Sequence, residues 1–236
     1  MKKSRPLPSL YVALDVPTAA DACRLADQLR PLGVGFKIGM ELYYAEGAEV
    51  LRRIQTDDNP VFVDLKLHDI PNTVHRALSR LKEQGVRFVN VHAQGGLAMM
   101  QAAKEAAGDT ITVIGVTLLT SLDETALSQQ LKVPLSIRDY VGHLAGQGQL
   151  AGLDGVVCSA AEAATLRQAC GPDFLLVTPG IRPADAAVGD QKRVVTPQQA
   201  LRNGANILVV GRPITGDPDP VAATERILAD MAGAHA

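Results

Sequence analysis

In the stretch Val61-Phe62-Val63-Asp64-Leu65-Lys66-Leu67-His68-Asp69-Ile70-Pro71-Asn72, an apolar run of β character gives way to turn and helix-start residues. Asp69, Pro71 and Asn72 are the residue types that end one element and open a helix. A strand that leads into a helix is the repeating unit of parallel α/β architectures. Within the run, Asp64 and Lys66 stand two positions apart, which on a strand puts both side chains on one face. Three charges, Asp64, Lys66 and Asp69, therefore collect at the C-terminal end of one strand. Charges there are costly to bury unless they pair. In a parallel sheet or barrel, that end is also where ligands bind.

Outward from this stretch, strand-like runs recur at Leu10–Leu14, Gly35–Ile38, Phe88–Val91, Thr112–Val116, Gly155–Val157, Phe174–Val177 and Ile207–Val210. Most are continuous apolar runs, as expected of parallel strands covered on both faces. Helical patterns fill the intervals, including Ala19–Leu29, Thr73–Lys82, Ala160–Ala169 and Thr196–Arg202. With Val61–Leu67 this makes eight strands alternating with helices and predicts an α/β fold, a (β/α)8 TIM barrel. A doubly wound open sheet is the alternative topology. The 236 residues fit one barrel, which typically takes about 250. No composition shift marks a boundary, so residues 1–236 are expected to form a single domain. No repeat of fixed period and no low-complexity tract interrupts it. The longest Pro/Gly-rich connection, Pro179 to Pro197, follows the seventh strand; a loop of that length is usually functional. Thr120–Gly152 holds extra helical turns after the fifth strand.

Composition narrows the function classes. Hydrophobic residues make up 47% and aromatics 3%, with no Trp, so Ala, Val, Leu and Gly carry the expected core. Such a chain lacks the stacking platforms used on single-stranded nucleic acid. The net charge is −2 with no basic block, which argues against nucleic acid or an anionic membrane surface as a partner. Cys23, Cys158 and Cys170 form no CxxC pair and are odd in number, so reduced thiols in a cytoplasmic protein are expected. Leu10–Leu14 is too short for a signal-peptide core and runs into Asp15. No stretch approaches the ~18 apolar residues of a membrane span. A soluble, unprocessed protein is the expectation.

Polar residues sit at the ends of most expected strands. Asp15 ends the first, and Lys37 lies within the second. Asp64 and Lys66 are on the third, Asn90 and His92 on the fourth. Thr117 and Thr120 follow the fifth, Arg182 the seventh, Gly211 and Arg212 the eighth. A lone Asp15 would read as a helix cap; a ring of such residues around one barrel mouth reads as a site. Lys37, Asp64, Lys66 and Asp69 alternate in sign, so their charges nearly cancel in a partly dry pocket. The plain alternative is a structural ion-pair network, but Lys is a poor choice for purely structural burial. A lysine held between carboxylates stays protonated, which suits proton delivery to a carbanion. Gly211-Arg212 after the last strand fits a phosphate grip, with close backbone approach at Gly and an Arg fork beside it. His92 is expected to be a hydrogen-bonded structural residue. His68 and His75 lack metal-ligand spacing, and no His, Cys and carboxylate set forms a metal site. Gly95-Gly96 reads as a turn into the next helix.

These residues resemble the orotidine 5′-monophosphate decarboxylase family of bacterial type, in order along nearly the whole chain. The resemblance rests on Ala13-Leu14-Asp15, Phe36-Lys37-Ile38-Gly39, the run from Phe62 to Thr73, Val91-His92-Ala93 and Thr117-Leu118-Leu119-Thr120-Ser121. It continues through Val177-Thr178-Pro179-Gly180-Ile181-Arg182, Asp190-Gln191 and Val210-Gly211-Arg212-Pro213-Ile214-Thr215. It implies decarboxylation of orotidine 5′-monophosphate to UMP, the last step of de novo UMP synthesis, without metal or organic cofactor. Lys66 would protonate C6 of the pyrimidine, flanked by Asp64 and Asp69, with Lys37 completing the array and contacting the ribose. Asp15 would bind ribose hydroxyls. Ile70, Thr73 and Thr120 would contact substrate, and Ser121 would lie near the base. Arg182, Gln191, Gly211 and Arg212 would hold the phosphate end. The resemblance also implies a homodimer with shared sites, in which Asp69 serves the other subunit. Two other readings stay open. Sugar-phosphate decarboxylase or aldolase barrels share the Asp-x-Lys-x-x-Asp core and would use Mg2+. A catalytically silent nucleotide-binding barrel would not need the intact charged set.

Overall fold

The computed structural model describes residues 6–182 and 195–234. Among these, eight parallel strands close into one barrel in sequence order, β1 pairing with β8. In chain order the elements are β1 (Leu10–Ala13), α1 (Ala19–Leu29), β2 (Gly35–Gly39), α2 (Met40–Glu46), α3 (Glu49–Ile54), β3 (Val61–Leu67), α4 (Pro71–Glu83) and β4 (Phe88–His92). There follow α5 (Leu97–Ala107), β5 (Thr112–Val116), α6 (Ile137–Leu150), β6 (Gly155–Val157), α7 (Ala163–Cys170) and β7 (Leu175–Thr178). The last are α8 (Pro197–Arg202), β8 (Ile207–Val210), α9 (Arg212–Thr215) and α10 (Pro220–Ala232). The open-sheet alternative falls, because the β1–β8 pairing leaves no edge. The extra turns after β5 are a short π-helical segment, Ala126–Gln130, followed by α6. Among the described residues no helix is long and apolar enough to cross a membrane, and no cysteine is paired.

Local chemistry sets the helix starts. Side-chain oxygens of Thr18, Ser136, Thr196 and Asp219 cap α1, α6, α8 and α10, each worth about 1 kcal/mol. Pro71 opens α4 at its first position, where a missing N–H costs nothing. The helix therefore begins two residues before the expected Thr73. In contrast, α7 begins three residues after the expected Ala160. There the Ser159 N–H donates to Glu162 Oε2 at 2.7 Å and forms a turn before the helix.

The core has two shells. Mostly aliphatic side chains, with Phe36 and Phe174 among them, fill the layer between strands and helices. The barrel interior is a separate cluster that includes Tyr11, Phe62, Phe88, Ile114, Val177 and Ile207. Composition alone points to an aliphatic core, but the floor of the barrel is aromatic. Phe62 and Phe88 stack with centroids 4.2 Å apart, and Tyr11 meets them edge-on at 6.0 and 5.4 Å. Such pairs contribute about 0.5–1.5 kcal/mol each beyond burial. Gly35 makes the room: a Cβ there would lie 2.7 Å from Tyr11 Cδ1. Because this floor is plugged, polar residues further along the same inward faces have only the C-terminal mouth to open into.

Candidate active site

Strand alternation carries the site residues onto the inner wall. Phe62 on β3 lies in the interior cluster, so Asp64 follows it on the same face. Lys37 lies beside it on β2, in register with Phe62. Gly39 preserves the space above Lys37, since a Cβ there would stand 3.0 Å from Lys37 Nζ and 3.3 Å from Asp15 Oδ1.

Asp64 is the centre of the array. Its Oδ1 accepts from Lys66 Nζ at 2.7 Å, and its Oδ2 lies 3.4 Å from Lys37 Nζ. Lys37 in turn reaches Asp15 Oδ1 at 2.8 Å. Side-chain exposures are 14% for Asp64, 9% for Lys37 and 29% for Lys66. Burial is the largest single influence on Asp64 and by itself would raise its pKa. Lys37, Lys66 and the hydrogen bonds from Lys66 and Asn90 together outweigh it, and the carboxyl is held below its ordinary range. The array is thus an ionised carboxylate clamped between two ammoniums, with Asp15 at the open rim.

The backbone beneath it is irregular. Lys66 has φ 51°, a left-handed conformation that is unusual for a residue with a Cβ. The β3–β4 register shifts between Val63 and Leu67. The expected i, i+2 pairing of Asp64 and Lys66 is present, but on a bulge. Asn90 supports it: Nδ2 donates to Asp64 Oδ1 at 2.6 Å and Oδ1 accepts the Lys66 N–H at 2.8 Å. The sequence shows Asn90 as one polar residue at a strand end, with nothing to connect it to Asp64 and Lys66. The available signal is its place two residues after Phe88, which puts a polar side chain on the inward face of an apolar strand.

Asp69 does not join the array within its own chain. It is exposed, and its Oδ1 accepts the Ile70 N–H at 2.7 Å. Ile70, 67% exposed, stands beside it on the rim, with Thr73 also exposed on α4. Arg182, Gly211 and Arg212 come together across the mouth. With Asp15, Lys37 and Asp64 they line one cleft of about 290 Å³. A bridge between Ile181 and Val195 holds the base of the long connection. Gln191 and Asp190 lie outside the described residues. Thr120 is half-buried and Ser121 exposed in the turn after β5. Thr117 is fully buried and its hydroxyl donates to Val157 O at 2.8 Å, so it ties β5 to β6 rather than facing the mouth.

His92 corrects one expectation. Its ring stacks on His68 with centroids 5.2 Å apart, and Nδ1 is buried without a hydrogen-bond partner. The contact the structure gives this ring is the stack on His68, with no hydrogen bond at Nδ1. Burial first, then His68 and Lys66, push its pKa down. Larger clefts of about 420 and 510 Å³ lie elsewhere, and no member of the charged array lines either. Among the described residues, no three His, Cys, Asp or Glu side chains converge as metal ligands.

Residues 8–227 match the family described as Orotidine 5′-phosphate decarboxylase / HUMPS family. An orotidine 5′-phosphate decarboxylase of Nitrosococcus oceani is 48% identical over 234 residues, covering 98% of this chain and 99% of its own. That of Moorella thermoacetica is 46% identical over 230 residues, covering 94% and 91%. The crystal structure of orotidine 5′-phosphate decarboxylase from Lactobacillus acidophilus superposes with a TM-score of 0.84 at 36% identity. It covers 94% of this chain and 98% of that chain.

Proposed function

Because the chain belongs to the orotidine 5′-phosphate decarboxylase / HUMPS family, we propose that it converts orotidine 5′-monophosphate to UMP and CO2, closing de novo pyrimidine nucleotide synthesis. The observation that carries the reading is Asp64 held between the Lys37 and Lys66 ammoniums at the mouth of a plugged barrel.

The chemistry needs a cation where negative charge develops. As the bond from C6 to the carboxylate breaks, its electron pair stays on C6. Lys66 Nζ stabilises that charge and delivers its proton to C6, giving UMP; solvent then reprotonates the amine. Asp64 fixes the ammonium, and its charge crowds the substrate carboxylate until CO2 leaves. Lys37 and Asp15 take the ribose hydroxyls. Arg182, Gly211 and Arg212 take the phosphate, whose remote binding energy supports the reacting geometry. The cleft shared by Asp15, Lys37, Asp64, Arg182 and Arg212 supports this division, since it joins a cationic end to the charged array. Thr120 contacts the substrate, with Ser121 near the base.

One barrel domain carries the whole site except for Asp69, Ile70 and Thr73. These complete the neighbouring subunit's site in a homodimer. The outward Asp69 and the exposed Ile70 beside it support that arrangement. The enzyme works in the cytoplasm with no cofactor, nucleic acid or membrane partner.

The test is loss of orotidine 5′-monophosphate absorbance on mixing with the EDTA-treated, dialysed protein. Full turnover in chelator is the expected result. Activity that disappears in EDTA and returns with Mg2+ would favour a sugar-phosphate decarboxylase; no turnover under either condition would favour a silent nucleotide binder.

A further inference from the structure

The bulge in β3 creates a backbone problem at the centre of the site. Between the register pairs Val63↔Val89 and Leu67↔Val91, β3 sets three residues, Asp64 to Lys66, against Asn90 alone. A backbone N–H that loses its ladder partner in a partly dry site needs another acceptor. The Lys66 N–H finds Asn90 Oδ1 at 2.8 Å. The other end of the same amide donates to Asp64 Oδ1 at 2.6 Å, the oxygen that also receives Lys66 Nζ at 2.7 Å. Asn90 is 1% exposed. A short neutral amide supplies both a donor and an acceptor there without adding charge.

We propose that Asn90 is a positioning residue for the decarboxylation. It locks the Asp64 carboxylate to the left-handed Lys66 backbone, so that the Lys66 ammonium stands at one fixed place over the reacting carbon. This rests on the function proposed above. Asn90 acts through Asp64 and Lys66 rather than on the substrate.

The groups around Asn90 define a pH test. Asp64 and Lys66 face it from β3, and Lys37 from β2 and Asp15 from the end of β1 stand behind Asp64. His92 is two residues along β4, with His68 stacked on it. On the other side β5 places Ile114 in register with it. Asn90→Ala removes both hydrogen bonds. Asn90→Asp keeps the shape and the acceptor but sets a second carboxylate against Asp64. Two carboxylates in one site hold a proton to higher pH than either alone. Once protonated, the new side chain donates an O–H to Asp64 as the amide does. The deficit of Asn90→Asp should therefore shrink as pH falls, whereas a purely structural defect would leave its ratio to wild type flat. The His92–His68 pair is present in wild type and variant alike, so the ratio of the two isolates the new carboxylate.

The experiment measures kcat and KM of the full chain and both variants on orotidine 5′-monophosphate from about pH 8.5 to about pH 5.5. Thermal melts and Lys66 amide hydrogen exchange by NMR accompany it. Asn90→Ala should lower kcat by about 10²-fold with KM changed less than about threefold. The Asn90→Asp ratio to wild type should rise at least about fivefold across the range, and Lys66 amide exchange should accelerate at least about tenfold in Asn90→Ala. A kcat for Asn90→Ala within threefold of wild type, a flat Asn90→Asp ratio, or unchanged Lys66 exchange would each overturn the proposal. If Asn90→Ala fails to fold, Asn90→Ser carries the kcat and exchange tests. Absence of turnover by the wild type would instead bring down the functional reading, and the exchange rate would then decide Asn90 alone.

Discussion

Lys66 combines strain with chemistry, and two substitutions at that position separate them. A left-handed residue with a Cβ costs about 1–2 kcal/mol, and Lys66 has φ 51°. Lys66→Ala keeps the Cβ and the cost. Lys66→Gly removes the cost but returns about 0.4–1 kcal/mol through the greater freedom of its unfolded chain. Taking the middle of both ranges, the Gly variant should thus exceed the Ala variant by about 0.8 kcal/mol, or about 2–3 °C in melting midpoint for a chain of this size. Both lose the same ion pair, and in both Asp64 keeps Lys37 at 3.4 Å and Asn90 at 2.6 Å. Activity should not follow stability. A general acid is worth about 10²–10⁴-fold and a preorganised charge about 10²–10³-fold. Losing both should lower kcat by about 10⁴–10⁷ in each variant. Circular dichroism melts and the absorbance assay on the same preparations read both quantities. Equal midpoints, or a more stable Ala variant, would refute the strain argument. Either variant within tenfold of wild type would remove Lys66 from proton transfer.

Because the native pKa of Asp64 lies below its ordinary 3.8, the unfolded chain binds its proton first as pH falls. Wild type should therefore exceed Asp64→Asn in stability in full above that value and lose the advantage below it; urea midpoints that differ by a constant amount down to about pH 2.5 would contradict this. Gly35→Ala should destabilise by about 1–3 kcal/mol, since the new methyl overlaps the buried Tyr11 ring; an unchanged melting midpoint would show that the barrel floor can yield. Arg212→Ala should impair turnover of the nucleotide far more than of the bare nucleoside, by a few kcal/mol of charge-assisted binding, and equal losses would take Arg212 off the phosphate. Lys66→Ala and Asp69→Ala homodimers should each be nearly inactive, while random re-assortment should restore about a quarter of all sites. Absence of recovery despite demonstrated subunit exchange would return Asp69 to its own subunit's site.

Much of this protein is written locally. The runs Val61–Leu67, Thr112–Val116, Gly155–Val157 and Ile207–Val210 stand in the structure with the limits their apolar character gave them, as does the helix Ala19–Leu29. Strand persistence, Pro71 at a helix start and Thr18 as a cap depend on neighbours a few residues away, so a linear reading reaches them. The polar residues at the mouth were legible for the same reason: each lies on an apolar strand or just after one. What the sequence could not order is which of them touch. Asn90 meets Asp64 and Lys66 only because β4 closes against a bulge in β3. Thr117 turns to Val157 because β6 lies beside β5. The aromatic floor forms from three strands whose residues are up to 77 positions apart, Tyr11 to Phe88. Nor does local pattern foresee the left-handed backbone at Lys66, which no side-chain propensity favours. It is held by a hydrogen bond from a strand that arrives 24 residues later. Local propensity acts through a few neighbouring residues, whereas barrel closure fixes register between strands distant in the chain, and the positions of the charges follow from that register.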